Sequence, residues 1–252
     1  MKFLSSDYDY TLYVNSEIRE EDVEAIRKFQ DAGNMFAINT GRHLDSIFHE
    51  CDKYGLRPDF HIGNNGNVIA DKDRKLIYLS DFSNELAREV VDYFEQNLSD
   101  KIYFISANNG YSFGRRIFNE GSGFLEDHLD KIEDYLDHPV NTMFAQAMVK
   151  EDTKEITDLL NEYFDGRLTF YNNDPYIDIV EHINDKATAL KFLVENYNIP
   201  EEDIYTIGDN FNDVTMIENF NGYVVSHASE FIKKHAKGEF ETVADMINTL
   251  LK

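Results

Sequence analysis

With 252 residues the chain can bury a full core, either as one large domain or as two smaller ones, and its 42% hydrophobic content is that of an ordinary globular protein. Twenty-four Lys and Arg stand against 48 Asp and Glu, a formal net charge of −24, which argues against nucleic acid and anionic membrane surfaces as partners. No apolar run approaches the ~20 residues of a membrane span and no secretory core follows Met1. The single cysteine, Cys51, cannot form an internal disulfide, so a cytoplasmic protein is expected.

In chain order, Lys2-Phe3-Leu4-Ser5-Ser6 reads as a short buried strand ending at Asp7. Ser16 is the expected opening of a helix carrying Val23, Ile26 and Phe29, which Gly33 ends. Met35-Phe36-Ala37-Ile38-Asn39 is an apolar strand turned by Thr40-Gly41-Arg42, and an amphipathic helix with Leu44, Ile47, Phe48 and Cys51 follows. In that helix Cys51 takes a structural role rather than a nucleophilic one. Phe60-His61-Ile62 is a further strand. Asn65-Gly66 and Lys72-Asp73-Arg74 then mark turns around Asn67-Val68-Ile69-Ala70 and Leu76-Ile77-Tyr78-Leu79, a hairpin.

From about 81 to 178 the grammar changes to helix, strand pair, helix, strand, helix and strand pair. The sequence Asn108-Asn109-Gly110 signals a hairpin between 101–107 and 111–118. This segment holds 21 acidic against 8 basic residues, −13 of the −24. It reads as a smaller α/β domain, 81–182, inserted into a first domain made of 1–80 and 183–252. After it the first pattern returns: a helix over 186–196, the strand Ile204-Tyr205-Thr206-Ile207, a turn at Gly208-Asp209 and a helix from Asp213. The strand Gly222-Tyr223-Val224-Val225 follows, and then helical patterns at 229–237 and 242–251. Alternating strands and helices predict an α/β fold, with a doubly wound parallel sheet covered on both faces.

Four polar segments fall at comparable places in that pattern. Asp7-Tyr8-Asp9-Tyr10-Thr11-Leu12 follows the first strand, Asn39-Thr40-Gly41-Arg42 ends another, and Gly208-Asp209-Asn210-Phe211-Asn212-Asp213 ends a third. Asp185-Lys186 opens a helix near the domain junction. Ligands of open α/β sheets gather at the carboxyl ends of the strands. Two carboxylates two residues apart project on one side of an extended chain, so one can attack while the other passes a proton. Taken singly, each segment has a plainer reading: a turn, a helix cap or a solvated lysine. Their joint occurrence at strand ends favours a site. The loop from Asp209 to Glu218 lacks the central glycine and spacing of an EF-hand.

With these motifs the sequence resembles the haloacid dehalogenase-like phosphohydrolases, and most of all their Cof-type branch, over its whole length. Asp7, Asp9, Thr11 and Leu12 fit the first motif of that family, Thr40 the second, Asp185-Lys186-Ala187-Thr188-Ala189-Leu190 the third, and Gly208-Asp209, Asn212 and Asp213 the fourth. Asn65-Gly66 and Ile177-Asp178-Ile179 are also similar to this branch. The resemblance implies a Rossmann-like catalytic core with an inserted α+β cap, and a Mg²⁺-dependent phosphatase acting on small phosphorylated metabolites, sugar phosphates by analogy. It implies Asp7 as nucleophile and Asp9 as general acid and base. Asp7 and Asp209 would ligate the metal together with the Asp9 carbonyl. Thr40 and Gly41 would hold phosphate oxygens, Lys186 would supply positive charge, Asn212 would bind phosphate or water, and Asp213 would hold Lys186 or a metal-bound water. A monomer or weak homo-oligomer is expected, with the inserted domain closing over the site. Phosphomutase-type transfer and a catalytically weak phosphometabolite sensor carry the same motifs.

The chain departs from the family pattern at Tyr10, where glycine is usual, at Ala187 after the motif lysine, and at Ile183-Asn184 before it. Tyrosine does not adopt positive φ cheaply, so the backbone at Tyr10 is either ordinary or strained, and its bulk falls beside the nucleophile. In the acidic inserted domain, Arg115-Arg116 reads as a solvated pair neutralising nearby acids rather than a grip on a second anionic group. His182 reads as structural, and Tyr103, Phe104, Tyr111, Phe113 and Phe144 as mostly core.

Overall fold

The computed structural model describes residues 1–80, 82–108, 113–117, 140, 142–181 and 184–252, with the backbone alone at 104, 106–108 and 113–117. The chain divides into two compact units, Met1–Tyr78 with Asn184–Lys252, and Leu79–Ile183. Arg115, Arg116, Phe104 and Phe113 as side chains, and Asn109, Gly110, Tyr111, His182 and the first helix expected between the strands of the inserted segment, lie outside the described residues.

The first unit is built on an eight-stranded sheet. Its strands are β1 (Phe3–Ser6), β4 (Met35–Asn39), β5 (Phe60–Gly63), β6 (Val68–Asp71), β7 (Leu76–Leu79), β13 (Ile204–Gly208), β14 (Asn221–Val225) and β15 (Glu239–Phe240), in the order β15-β14-β13-β1-β4-β5-β6-β7. From β15 to β5 every pairing is parallel, and β6 then runs antiparallel to β5. The helices are α1 (Glu20–Asp31), α2 (Leu44–Tyr54), α5 (Lys186–Tyr197), α6 (Val214–Asn219), α7 (Glu230–Lys233) and α8 (Val243–Leu250). Successive strand residues face opposite ways, and the core divides accordingly. Leu4, Phe36, Ile38, Ile207 and Val224 pack with Val23, Ile26, Phe29, Ile47 and Ile247. Phe3, Ala37, Ile62 and Ile204 pack with Leu190, Leu193, Met216 and Phe220. The sheet is thus covered on both faces, a doubly wound α/β fold.

Two local expectations are corrected. Ser16 does not open a helix. Asn15 and Ser16, at φ 54° and 68°, form the two-residue turn of a small hairpin pairing β2 (Tyr13–Val14) with β3 (Glu17–Ile18). Two adjacent left-handed residues are what such a turn requires, and α1 starts only after Arg19. The helix expected over 229–237 is the single turn of α7. The chain then runs out as the edge strand β15, fastened by Lys237 N–H to Gly222 O at 2.8 Å and Ser226 N–H to Phe240 O at 2.8 Å. The apolar signal of Glu239-Phe240 is too short to announce a strand.

The second unit has a five-stranded sheet of β8 (Ile102–Asn108), β9 (Phe113–Ile117), β10 (Thr142–Ala147), β11 (Leu168–Asn173) and β12 (Tyr176–Glu181), ordered β11-β12-β10-β8-β9 with antiparallel pairings throughout. The helices α3 (Asn84–Asn97) and α4 (Thr153–Tyr163) contribute Val90, Phe94, Ile156 and Leu160 to a separate core with Ile102, Met143, Phe170 and Ile179. Each unit therefore has its own hydrophobic centre, as an independently folding insertion requires.

Candidate active site

Within the first unit, β1 lies between β4 and β13, and all three run in the same direction. Ser6 pairs with Ile38 on one side and Ile207 on the other. The residues that follow, Asp7, Thr40 and Asp209, therefore emerge together at the carboxyl end of the sheet. Asp7 is anchored by its own N–H, which donates to Ile207 O at 2.9 Å.

Lys186, the first residue of α5, is fully buried between two carboxylates. Its Nζ donates to Asp7 Oδ1 at 2.6 Å and to Asp213 Oδ1 at 2.5 Å. Asp213 Oδ2 accepts the N–H groups of Asp209 and Asn210, both at 3.0 Å, so both oxygens of this buried carboxylate are engaged. Thr11 donates to Asp209 Oδ1 at 2.9 Å. Asn39 Nδ2 donates to Lys186 O at 3.1 Å, tying the end of β4 to the start of α5. Asn212 donates to Asn65 Oδ1 at 2.9 Å and is held over the same edge.

The carboxylates of Asp7, Asp209 and Asp213 lie within 4.8 Å of one another. Three carboxylates against one ammonium leave two negative charges in a largely buried space. Burial first, then Asp213, pushes the Asp7 carboxyl well above the ordinary range, although Lys186 opposes the shift. Asp209 is pushed up to about 6 by burial and then by Asp213. Burial works against the charge of Lys186, but Asp213 and Asp7 outweigh it and raise its pKa. An all-oxygen donor set with surplus negative charge fits a hard divalent cation such as Mg²⁺.

Two glycines make this packing possible. A Cβ on Gly208 would come 2.4 Å from Asp213 Cγ, so only glycine lets that carboxylate lie over the strand end. Gly66 has φ +101°, and a Cβ there would meet the Asp185 carbonyl oxygen at 2.2 Å, one residue before Lys186. Gly66→Ala is expected to cost on the order of 2–4 kcal/mol, measured by urea unfolding, because it combines backbone strain with a backbone clash.

Asp9 stands apart from the cluster. Both of its oxygens accept from Arg42, Oδ2 from Nε at 2.7 Å and Oδ1 from a terminal nitrogen at 2.5 Å. The guanidinium lies over the rings of Tyr8 and Tyr13, at 4.8 Å and 5.4 Å from their centroids. Arg42 N–H donates to Thr40 Oγ1 at 3.2 Å, so the second strand end and the aspartate pair meet through Arg42. The motif Asn39-Thr40-Gly41-Arg42 contains this arginine, but nothing in the sequence pairs it with Asp9.

Tyr10 adopts φ 60°, the strained alternative. Left-handed backbone costs a non-glycine residue roughly 1–2 kcal/mol. The residue is 66% exposed and so does not press on Asp7. The peptide is held by Tyr10 N–H to Tyr13 O at 2.9 Å and by His227, whose Nε2 lies 2.7 Å from Tyr10 O. Sequence reasoning missed His227; a histidine 217 positions from its partner carries no local signal. Cys51 is buried and its thiol is pushed up to about 12, mainly by burial, as an inert core group would be.

The fold is thus an α/β one, a doubly wound sheet whose carboxyl edge carries a buried lysine between aspartates and an acidic cluster that could hold a cation. The profile of the haloacid dehalogenase-like hydrolases matches residues 4–246, and the chain belongs to that family. A protein of Mycoplasma capricolum is 28% identical over 254 residues, covering 94% of this chain and 95% of its own. A 5-amino-6-(5-phospho-D-ribitylamino)uracil phosphatase of Bacillus subtilis is 28% identical over 252 residues, covering 86% of this chain and 85% of its own. A solved haloacid dehalogenase-like hydrolase from B. subtilis superposes with TM-score 0.85 at 20% identity, covering 99% of this chain and all of that one.

Proposed function

We propose that this enzyme is a phosphatase that hydrolyses small phosphorylated metabolites, sugar phosphates foremost, through a phosphoryl group carried on Asp7. The observation that carries the reading is the buried Lys186 ammonium joining Asp7 to Asp213 beside Asp209. A relative named as a phosphatase of a phosphoribityl compound supports the substrate class.

Lys186 occupies Asp7 Oδ1, so attack on phosphorus falls to Oδ2. That bond forms as the ester oxygen leaves, and water later cleaves the acyl phosphate to return the carboxylate. Asp9 protonates the leaving oxygen and then takes a proton from the water. To do so it exchanges its paired contact with Arg42 for the substrate, since the guanidinium takes up both of its oxygens. The Thr40 hydroxyl, whose oxygen already accepts Arg42 N–H, is free to donate its proton to a phosphate oxygen, alongside Gly41 N–H. Asn212, braced by Asn65, contributes an amide at the same edge. Asp7, Asp209 and the Asp9 carbonyl would hold Mg²⁺, with Asp213 bracing from behind; when bound, the ion supplies positive charge to the nucleophile and the transferring group.

Purified protein with Mg²⁺ is expected to release inorganic phosphate from a panel of sugar phosphates, nucleotides and pyridoxal phosphate, and chelation should stop it. No release from any ester, or isomerised ester without free phosphate, would overturn the phosphatase reading. Because the net charge of −24 repels phosphate esters, moderate salt should leave kcat/KM unchanged or raise it. A strong fall in kcat/KM with salt would contradict this account of substrate capture.

A further inference from the structure

We propose that His227 is a positioning residue, which holds the peptide after Asp9 in a left-handed turn that tyrosine does not adopt unaided. The inference rests on the roles given above to Asp7 and Asp9. Tyr10 at φ 60° is the strained link between Asp9 and Thr11, two residues that face the site. A carbonyl oxygen can only accept, so His227 Nε2, 2.7 Å from Tyr10 O, carries the hydrogen. The neutral Nε2–H tautomer and the imidazolium both carry that hydrogen.

His227 follows β14 by two residues and reaches Tyr10 from across the sheet edge. With Asp9, Tyr10, Tyr13 and Arg42 it lines a cavity of about 490 Å³. The turn itself is small: Tyr10 N–H bonds to Tyr13 O at 2.9 Å, while Leu12 and Tyr13 N–H bond to Tyr8 O at 3.0 and 2.7 Å. All three contacts lie within the loop. Among the described residues, the hydrogen bonds that fasten the loop to the rest of the unit near Asp9 are those of His227, of Thr11 to Asp209, of Arg42 to Asp9 and of the Tyr8 hydroxyl to Glu50. Of these His227 alone acts on the strained peptide. A glycine at position 10 would remove the strain and with it the need for the histidine.

The test uses His227→Ala, His227→Gln, Tyr10→Gly and the double variant Tyr10→Gly/His227→Ala, assayed with p-nitrophenyl phosphate and Mg²⁺. In parallel, amide hydrogen exchange is read on the peptide spanning 8–14. His227→Ala should lower kcat about tenfold with KM little changed, as expected for a misaimed catalytic group, and exchange over 8–14 should speed up. His227→Gln, whose amide nitrogen reaches the same place, should restore both. On the Tyr10→Gly background the alanine substitution should cost less than about threefold, the non-additivity of two residues in contact. Unchanged exchange in His227→Ala overturns the proposal, as does faster exchange with unchanged kcat, or an equal loss on both backgrounds. If the unaltered enzyme hydrolyses neither this ester nor any ester of the panel above, the phosphatase reading fails, and the exchange measurement still decides whether His227 holds the turn.

Discussion

Asp7→Asn is expected to fold normally and to lose at least about four orders of magnitude in kcat, because an amide oxygen does not attack phosphorus as a carboxylate does. The change is nearly isosteric at a buried position. Stability should not suffer at neutral pH, because burial and then Asp213 already penalise the charged form of Asp7, and Lys186 keeps Asp213 as its partner. Phosphate release and thermal melting on the same preparation test this directly. Rapid acid quench of the unaltered enzyme during turnover should trap phosphate on the peptide carrying Asp7 and on no other. Normal turnover by Asp7→Asn would sink the assignment of nucleophile, whatever the substrate.

Lys186→Met should be the most disruptive single change to the site. It removes the one ammonium between Asp7 and Asp213 and leaves buried like charges facing each other, a loss of about 3–5 kcal/mol at neutral pH. The sign of the pH dependence follows from the carboxyls. In the enzyme itself Asp209 is raised to about 6 and Asp7 is raised well above the ordinary range. A group raised on folding contributes stability below its unfolded pKa and loses it as pH rises through the folded value. Chelated enzyme should therefore lose stability from about pH 4 through about 6, and added Mg²⁺ should restore it at pH 7. Lys186→Met should show a steeper loss over the same direction of pH and regain most of its stability in acid. Melting curves against pH, with and without Mg²⁺, measure all of this. A Lys186→Met variant as stable as the parent at pH 7, or less stable in acid than at pH 7, would contradict the electrostatic account.

Much of this was legible along the chain because it is local. Phe3-Leu4, Met35–Asn39 and Ile204–Gly208 are apolar runs short enough to be buried strands. A polar residue directly behind such a run must lie at the carboxyl edge of a parallel sheet, so Asp7, Thr40 and Asp209 announce a common location. Helix periodicity located α1, α2 and α5 to within a few residues. Where the reading failed, a second local grammar competed. Asn15-Ser16 can cap a helix or turn a hairpin, and the pairing of Tyr13 with Ile18 chose the hairpin. Glu239-Phe240 became a strand only because β14 offered an open edge.

The amino-acid sequence by itself determined the class of fold, the edge of the sheet at which the polar motifs gather and the identity of the charged groups there. Those properties depend on residue type and on spacing within one or two elements. Only the tertiary structure decided which charge meets which. Lys186 lies 179 residues from Asp7 and 27 from Asp213, yet it bridges the two. Arg42 takes Asp9 out of the cluster, and His227 holds the strained Tyr10 peptide from the far end of the chain. Ion pairs and buried hydrogen bonds depend on distance in space and on exclusion of water, and strand order, which sets both, is not written in any single segment.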